Sequence, residues 1–382
     1  MILMSETKEN LLTLTAIKAD VGSIGGHTLP SAEMLELCRT LMGKAQLEQG
    51  LIVDWRVTHI GDDICLFMTH REGSDNPAIN DLAWNTLFAA AGVAKKQGLY
   101  GAGQDLLEDA PSGNVRGAGP GIAEITIDLN AKERPAESFM VVTADKCGPG
   151  VYNWLFGELF MNPAKCAGLM LPVMLEGFTI DIIDMDYVDA DRMIRLNTKT
   201  QMAEIAFLLR DENRFAIRAI WSNKYPDQQV FSASTDRLHN HGGVYLGKDD
   251  PVAIVRSQKI FPAPEELVSN FMQVPYVAGD ARGSHHMPIM PVKIGTPVTG
   301  VYCLPIVAAV AYSVNADGML TEGADLFGGV AWDRARAQAQ LKAELMRNQG
   351  WFGAAMLHTT ELEYSAFGDL LKTLEAQFVV QK

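Results

Sequence analysis

The chain has 382 residues and a formal net charge of −14, and charged residues make up 20% of it. This acidic balance, without any run rich in Lys and Arg, argues against a nucleic-acid-binding surface. It does not exclude an anionic substrate, because bound divalent cations reverse the local field.

Apolar periodicity predicts strands and helices that follow one another along the chain. In chain order, strands are predicted at residues 11–17, 51–60, 64–70, 122–128, 138–144, 177–187, 214–221, 252–256 and 305–314. Helices are predicted at residues 31–48, 77–97, 198–211, 263–272 and 331–348. Ser31 is the predicted N-cap of the first helix. Pro77 in the first turn and Gly98 at the end delimit the second.

The strands at 51–60 and 64–70 are joined by Gly61-Asp62-Asp63, a connection too short for a helical crossover. They are therefore predicted to form an antiparallel hairpin. Hairpins mixed with helices favour an α+β fold over a doubly wound parallel sheet. Length alone would suggest two or three domains.

Oxygen-bearing side chains recur where the apolar runs end. They lie at Asp20, Asp62-Asp63, Gln104-Asp105, Asp145 and Asp249-Asp250. A sheet could bring these ends together at one edge. Hard cations such as Mg²⁺ prefer oxygen ligands in octahedral geometry, with phosphates and waters in the remaining positions. The pattern therefore predicts a site for several Mg²⁺ ions rather than a zinc site.

Residues 98–121 contain seven glycines, but neither a Walker sequence nor a G-x-G-x-x-G that opens a helix. They are therefore not a nucleotide-binding fingerprint. Glycine lets backbone N–H groups approach a phosphate closely, which is the role we expect of Gly113 and Asn114. An ordinary long loop is the alternative.

Residues 245–251 place a phenol, an amine and two carboxylates in one short segment. Lys248 could form a Schiff base, and Asp249 and Asp250 could hold a divalent metal. In isolation, such a segment is more typical of a solvated surface turn.

Taken together, these motifs resemble a known family. They are Ala19-Asp20, Gly26-His27-Thr28, Gly61-Asp62-Asp63, 99–107, 112–117, Ala144-Asp145-Lys146, 247–251 and 282–285. In this order and spacing, the chain is similar to the bifunctional fructose 1,6-bisphosphate aldolase/phosphatase of archaea and deeply branching bacteria. The resemblance implies a homo-octamer whose chain is a single-domain four-layer α-β-β-α sandwich over 11–367, with an N-terminal extension at 1–10 and a C-terminal tail at 368–382.

The resemblance also implies a phosphatase that uses several Mg²⁺ ions. The implied metal ligands are Asp20, His27, Asp62, Asp63, Gln104, Asp145, Lys248, Asp249 and Asp250. Asp20 would also accept the proton of the attacking water. The implied contacts to the phosphates and the sugar are His27, Tyr100, Gly113, Asn114, Lys146, Gln258, Arg282 and Tyr364.

A second activity follows from the same resemblance. Lys248 would form a Schiff base with dihydroxyacetone phosphate, and Tyr245 would shuttle a proton while the bond to glyceraldehyde 3-phosphate forms. Asp249 and Asp250 alone would raise the pKa of Lys248, whereas bound Mg²⁺ and partial desolvation would lower it. We therefore expect the lyase to require metal on those carboxylates. Hydrolysis of the 1-phosphate of the product would then give fructose 6-phosphate for gluconeogenesis.

Two alternatives stay open at this point. One is a Mg²⁺-dependent sugar-phosphate phosphatase in which Lys248 only contacts a phosphate. The other is a non-catalytic acidic module that binds divalent cations or sugar phosphates. The five scattered cysteines, without a C-x-x-C pair, and the lack of a signal peptide or membrane span predict a soluble cytoplasmic protein. Sugar phosphates are the expected partners, with no nucleic acid and no membrane.

Overall fold

The computed structural model describes residues 10–106, 119–129, 136–187, 192–234, 248–258, 261–279, 285–298, 300, 303–350, 352–353, 355–356 and 366–379. The strands are β1 (Leu11–Asp20), β2 (Asp54–Ile60), β3 (Asp63–His70), β4 (Gly121–Asp128), β5 (Ala136–Asp145), β6 (Phe178–Asp184), β7 (Met193–Asn197), β8 (Phe215–Ser222), β9 (Gln229–Ala233), β10 (Val252–Ser257), β11 (Tyr276–Ala278), β12 (His286–Pro288), β13 (Met290–Pro291), β14 (Ile306–Asn315) and β15 (Ala324–Asp325). The α-helices are α1 (Ala32–Leu47), α2 (Pro77–Gln97), α3 (Leu159–Met161), α4 (Met202–Leu209), α5 (Pro264–Leu267), α6 (Asp333–Arg347) and α7 (Ala366–Glu375).

Two large sheets carry the fold. The first has four strands in the order β2-β3-β1-β4, and the second runs β13-β14-β5-β10-β9-β8-β6-β7, with β15 paired to β14. Strand pairing is antiparallel throughout these sheets except between β13 and β14. Helices combined with antiparallel sheets confirm the predicted α+β class. Among the described residues, we find no helix with the length and apolar character that a membrane crossing needs.

Local signals predicted the first two helices and the hairpin between them well. The Ser31 hydroxyl accepts a hydrogen bond from the Met34 N–H at the start of α1. Helix α2 has the predicted bounds and ends at Gly98, whose φ of 66° is left-handed. Strands β2 and β3 pair antiparallel, with Ile60 opposite Asp63.

The predicted helix at 263–272 is correct only in its first half, because helix α5 ends at Leu267 and a 3₁₀ turn, Ser269–Gln273, follows it. Ser and Asn compete with the helical backbone for hydrogen bonds. The Asn270 side chain donates instead to the Leu155 carbonyl, so a tertiary contact replaces a further helical turn. Helix α7 was also missed, since it lies mostly in the predicted C-terminal tail at 368–382.

Buried apolar side chains fill three regions. Between the two sheets, Leu14 of β1 and Phe67 of β3 belong to the same cluster as Phe139 of β5. Outside the first sheet, side chains of β1 and β3 pack with those of α1 and α2. Outside the second sheet, a larger cluster includes Phe156, Phe231 and the alanines of α6. Each sheet therefore has helices on one face and the other sheet on its opposite face.

The two-residue period of β1 determines which polar groups are buried between the sheets. Leu14 and Ala16 face the second sheet, so Lys18 and Asp20 continue that face to the end of the strand. Because β1 and β3 are antiparallel, Asp20 lies opposite Asp63. The end of β5 likewise meets the start of β10, where the Ala144 N–H donates to the Pro251 carbonyl at 3.2 Å. The strand ends that carry the predicted ligands thus share one edge.

Candidate active site

Five predicted metal ligands form two overlapping groups at this edge. Asp20, His27 and Asp62 each offer one ligand atom within 4.8 Å of the other two. Asp62, Asp63 and Asp145 form a second group under the same limit. All five side chains are buried, and Asp62 belongs to both groups. The arrangement offers two neighbouring cation positions that share one carboxylate.

Gly61 allows the hairpin turn to approach the end of β5. Its φ of 50° is left-handed, and its N–H donates to the Thr296 carbonyl at 2.9 Å. A Cβ at this position would overlap the Oδ2 atom of Asp145. Only glycine therefore brings Asp62 and Asp63 this close to Asp145 without displacing it.

Two of the predicted site residues at this edge have uncommon backbone conformations. Lys146 and Asp250 have φ values of 60° and 49°, which non-glycine residues rarely adopt. The Asp250 N–H donates to the Cys147 carbonyl at 2.8 Å, and the Cys147 N–H donates to Asp250 Oδ1 at 2.6 Å. These reciprocal bonds hold the strained ends of β5 and β10 together, a cost typical of functional sites.

Lys146 bridges two of the candidate ligands. Its Nζ lies 2.5 Å from Asp62 Oδ1 and 2.9 Å from Asp145 Oδ1. Burial would raise the pKa of Asp62, but the Lys146 ammonium and His27 outweigh burial and hold that pKa below its usual range. His27 Nδ1 lies 3.3 Å from Asp62 Oδ2, and the His27 ring packs edge-on against Tyr100.

Negative charge exceeds positive charge among the buried groups of this edge. The carboxylates of Asp20, Asp62, Asp63, Asp105 and Asp145 face the ammonium groups of Lys18, Lys146 and Lys248. Burial, with neighbouring Asp62 and Asp250, raises the pKa of Asp145 to about 7. Within the described part of the chain, Asp145 Oδ2 and Gln104 Oε1 are buried without a hydrogen-bond partner. Unpartnered oxygens beside surplus negative charge fit a hard divalent cation such as Mg²⁺.

Lys18 is a buried cation to which sequence reasoning gave no role. Its Nζ contacts Asp63 Oδ2 between the two sheets. Burial lowers the pKa of Lys18, although the carboxylates of Asp250 and Asp145 act in the opposite direction. The signal was present in the sequence, because residue 18 follows Leu14 and Ala16 on the same face of β1.

Lys248 lies in the same charge network, and only 2% of it is exposed. Its Nζ is 2.8 Å from Asp249 Oδ1 and 3.2 Å from Asp105 Oδ2. Burial lowers the pKa of Lys248, but these carboxylates and Asp250 outweigh burial and raise it. The side chain is therefore an ammonium in the metal-free chain, as expected from its acidic neighbours.

Several predicted site residues are not brought into this cluster by the described structure. Gln258 follows β10 at the end opposite Asp250, and the six residues of that strand span roughly 20 Å. Its role as a sugar-phosphate contact stays a prediction. The other residues lie outside the described part of the chain, so their roles also stay predictions: Gly113, Asn114, Tyr245, Arg282 and Tyr364.

Comparison with known proteins agrees with the resemblance of the sequence motifs. The sequence model of the family described as Fructose-1,6-bisphosphatase matches residues 11–379. The chain belongs to this family. A protein of Thermus thermophilus named fructose-1,6-bisphosphate aldolase/phosphatase is 47% identical, over 96% of this chain and 99% of its own. Proteins of the same name from Cenarchaeum symbiosum and Methanocaldococcus jannaschii are 42% and 38% identical, over 97% and 98% of this chain and 96% and 94% of theirs.

A pair of glycine substitutions tests the candidate metal site of this fructose-1,6-bisphosphatase family member. Gly61→Ala and Gly50→Ala both put a side chain on a left-handed backbone, with φ of 50° and 61°. Each should cost about 1–2 kcal/mol of backbone strain. Only at Gly61 would the new methyl group meet Asp145, since nothing lies within 4 Å of a Cβ at Gly50. Calorimetric titration should show Mg²⁺ affinity at least about tenfold weaker in Gly61→Ala alone. Equal Mg²⁺ affinities in the two variants would contradict the proposed role of Gly61.

The pKa of Asp145 predicts how Mg²⁺ binding depends on pH. Because this pKa is raised from 3.8 to about 7, the folded chain holds a proton there that the unfolded chain loses. The free energy of unfolding of the metal-free protein therefore has a component that falls as pH rises through this window. The pKa of Asp62 is lowered in the folded chain, so its contribution to stability is lost only as pH falls below the pKa that this group has in the unfolded chain. Since a ligand must be deprotonated, apparent Mg²⁺ affinity should be roughly tenfold weaker at pH 6 than at pH 8.

Titration calorimetry in buffers of different ionisation enthalpy would measure both this affinity and the protons released. Asp145→Asn is the matched control, because it removes the titrating group at almost constant volume. Its Mg²⁺ affinity should be weaker at both pH values and should change little between them. An affinity of the wild-type protein that is the same at pH 6 and pH 8 would refute the link to Asp145.

Proposed function

We propose that the chain is a Mg²⁺-dependent enzyme with two activities in one site. It condenses dihydroxyacetone phosphate with glyceraldehyde 3-phosphate to fructose 1,6-bisphosphate, and it hydrolyses the 1-phosphate of that product to give fructose 6-phosphate. The observation that carries the proposal is the position of Lys248 beside Asp249 and Asp105, in one charge network with the candidate metal ligands. A nucleophilic amine and a metal site can thus act on the same bound molecule.

The family relationship supports the same proposal. The relatives named above carry both activities in their names, and their similarity extends over nearly the whole of each chain. A direction of reaction toward gluconeogenesis, a cytoplasmic location and a homo-octameric assembly are parts of the proposal that rest on the resemblance of the motifs. Sugar phosphates are the proposed small-molecule partners.

The phosphatase step would use the two overlapping groups of ligands. Bound Mg²⁺ would supply charge neutralisation of the phosphate and a more acidic water. Burial and the neighbouring Asp62 raise the pKa of Asp20 well above its usual value, so Asp20 suits the proton acceptor for that water. Lys146 is a buried ammonium between Asp62 and Asp145, and such a donor suits an anionic phosphate oxygen.

The lyase step would begin at Lys248. Its neutral amine adds to the C2 carbonyl carbon of dihydroxyacetone phosphate, the carbonyl oxygen leaves as water, and a C=N bond forms. The carboxylates around Lys248 oppose the loss of its proton in the metal-free chain. Engaging those carboxylates with divalent cations would relieve this opposition, which makes metal a requirement of both steps. Tyr245 would then shuttle the proton during carbon–carbon bond formation.

A phosphatase without lyase activity is the second candidate. The closeness of Lys248 to Asp105 and Asp249 favours it in one respect, because a permanently charged lysine serves as a phosphate contact. The two candidates differ in whether Lys248 becomes covalently bound to substrate.

Borohydride reduction with dihydroxyacetone phosphate and Mg²⁺ separates them. The wild-type protein should gain the mass of a reduced adduct on Lys248, and Lys248→Ala should gain none. Lys248→Ala should keep measurable phosphatase activity on fructose 1,6-bisphosphate, because water and metal perform that hydrolysis. Lys146→Ala is the control, since it removes another buried amine of the candidate site but leaves the proposed nucleophile. An adduct on Lys146 or Lys18 in the peptide map would show that the nucleophile is assigned wrongly.

A further inference from the structure

We infer that Asp105 is a positioning residue that ties the nucleophile of the lyase step to the metal-binding end of β1. It contributes to neither group of candidate metal ligands found among the described residues. The sequence placed Asp105 among the oxygen-bearing side chains at the ends of apolar runs, but the family resemblance gave the ligand role to its neighbour Gln104 and no separate role to Asp105. The inference rests on the proposed function, because it concerns Lys248 as the Schiff-base lysine.

One oxygen of Asp105 makes both contacts. Asp105 Oδ2 accepts a hydrogen bond from the backbone N–H of Asp20 at 2.8 Å and lies 3.2 Å from Lys248 Nζ. Only 4% of Asp105 is exposed, so water does not compete effectively for this oxygen. This single oxygen atom therefore positions both the Lys248 amine and the backbone of Asp20.

The chain around Asp105 is anchored on both sides of this contact. Asp105 lies in the 3₁₀ turn Gln104–Leu106, and Leu106 is buried in the core beneath α1 and α2. The Gly103 N–H donates to the Val21 carbonyl at 3.1 Å, just beyond the end of β1. A carboxylate on a fixed turn can hold a long lysine side chain in one rotamer.

The stem of Lys248 is restrained independently. A Cβ added at Gly121, the first residue of β4, would lie 2.8 Å from Lys248 Cγ and 2.8 Å from Ser234 Oγ. The backbone of Gly121 is not left-handed, so alanine there would act through its contacts with Lys248 and Ser234 and not through backbone strain. The stem thus packs closely against Gly121, whereas Asp105 and the half-buried Asp249 contact the amine. Of these two carboxylates, Asp105 belongs to a different element from the lysine and can set its position against Asp20.

Asp105→Asn tests this role, because an asparagine oxygen can still accept from the Asp20 N–H while the ion pair with Lys248 is lost. Because removal of this carboxylate also makes the Lys248 amine easier to deprotonate, each protein is assayed at its own optimal pH. There, the rate of borohydride-trapped adduct formation with dihydroxyacetone phosphate should fall at least about tenfold. The kcat for fructose 1,6-bisphosphate hydrolysis and the Mg²⁺ affinity should fall by smaller factors. Asp105→Ala also removes the acceptor for Asp20, so adduct formation, hydrolysis and Mg²⁺ affinity should all fall.

Gly121→Ala is the second variant, and it carries the test if Asp105→Asn does not fold. It should slow adduct formation more than hydrolysis, because it displaces the lysine stem without touching Asp20. Equal losses of both activities in Asp105→Asn, or an unchanged adduct rate, would overturn the inference while leaving the proposed function intact. If Asp105→Asn does not fold, equal losses in Gly121→Ala would overturn it. Absence of any adduct in the wild-type protein would overturn both.

Discussion

Buried negative charge is the constraint on which the rest of this structure depends. Ionised carboxylates are costly to remove from water unless they are paired or bound to metal. The chain places them in the interior at one edge of two packed sheets, and three buried lysines offset only part of that charge. Without bound metal, burial and the excess negative charge raise the pKa values of Asp20 and Asp145, which favours their protonated forms. Divalent cations could therefore replace the protons on these carboxyl groups and the contacts that the lysines make with them.

Antiparallel topology explains how residues so far apart in sequence reach one place. An antiparallel strand pair brings the end of one strand beside the start of its partner. This happens twice here, between β1 and β3 in one sheet and between β5 and β10 in the other. Face-to-face packing of the sheets then superimposes the two sets of strand ends. This geometry supports the proposed shared site, in which both reactions would use the same carboxylates.

Much of this arrangement could be predicted from local sequence. The caps of α1 and α2 and the tight hairpin turn depend on neighbouring residues, so their boundaries were predicted closely. Acidic residues at the ends of apolar runs likewise indicated the carboxylates that the structure brings together. Strands β7 and β9 were missed, because their short segments gain their pairing from the rest of the sheet. The roles of Lys18 and Asp105 were missed for a related reason, since each depends on a partner far away in the chain.

A crystal structure of the chain soaked with Mn²⁺, a substitute for Mg²⁺ with an anomalous signal, tests the central claim most directly. The predicted result is anomalous density at both overlapping groups, with Asp62 as the shared ligand and Lys146 Nζ moved away from Asp62 and Asp145. Density that lies elsewhere, with Lys146 still bridging those two carboxylates, would contradict the claim that this buried charge is a metal site.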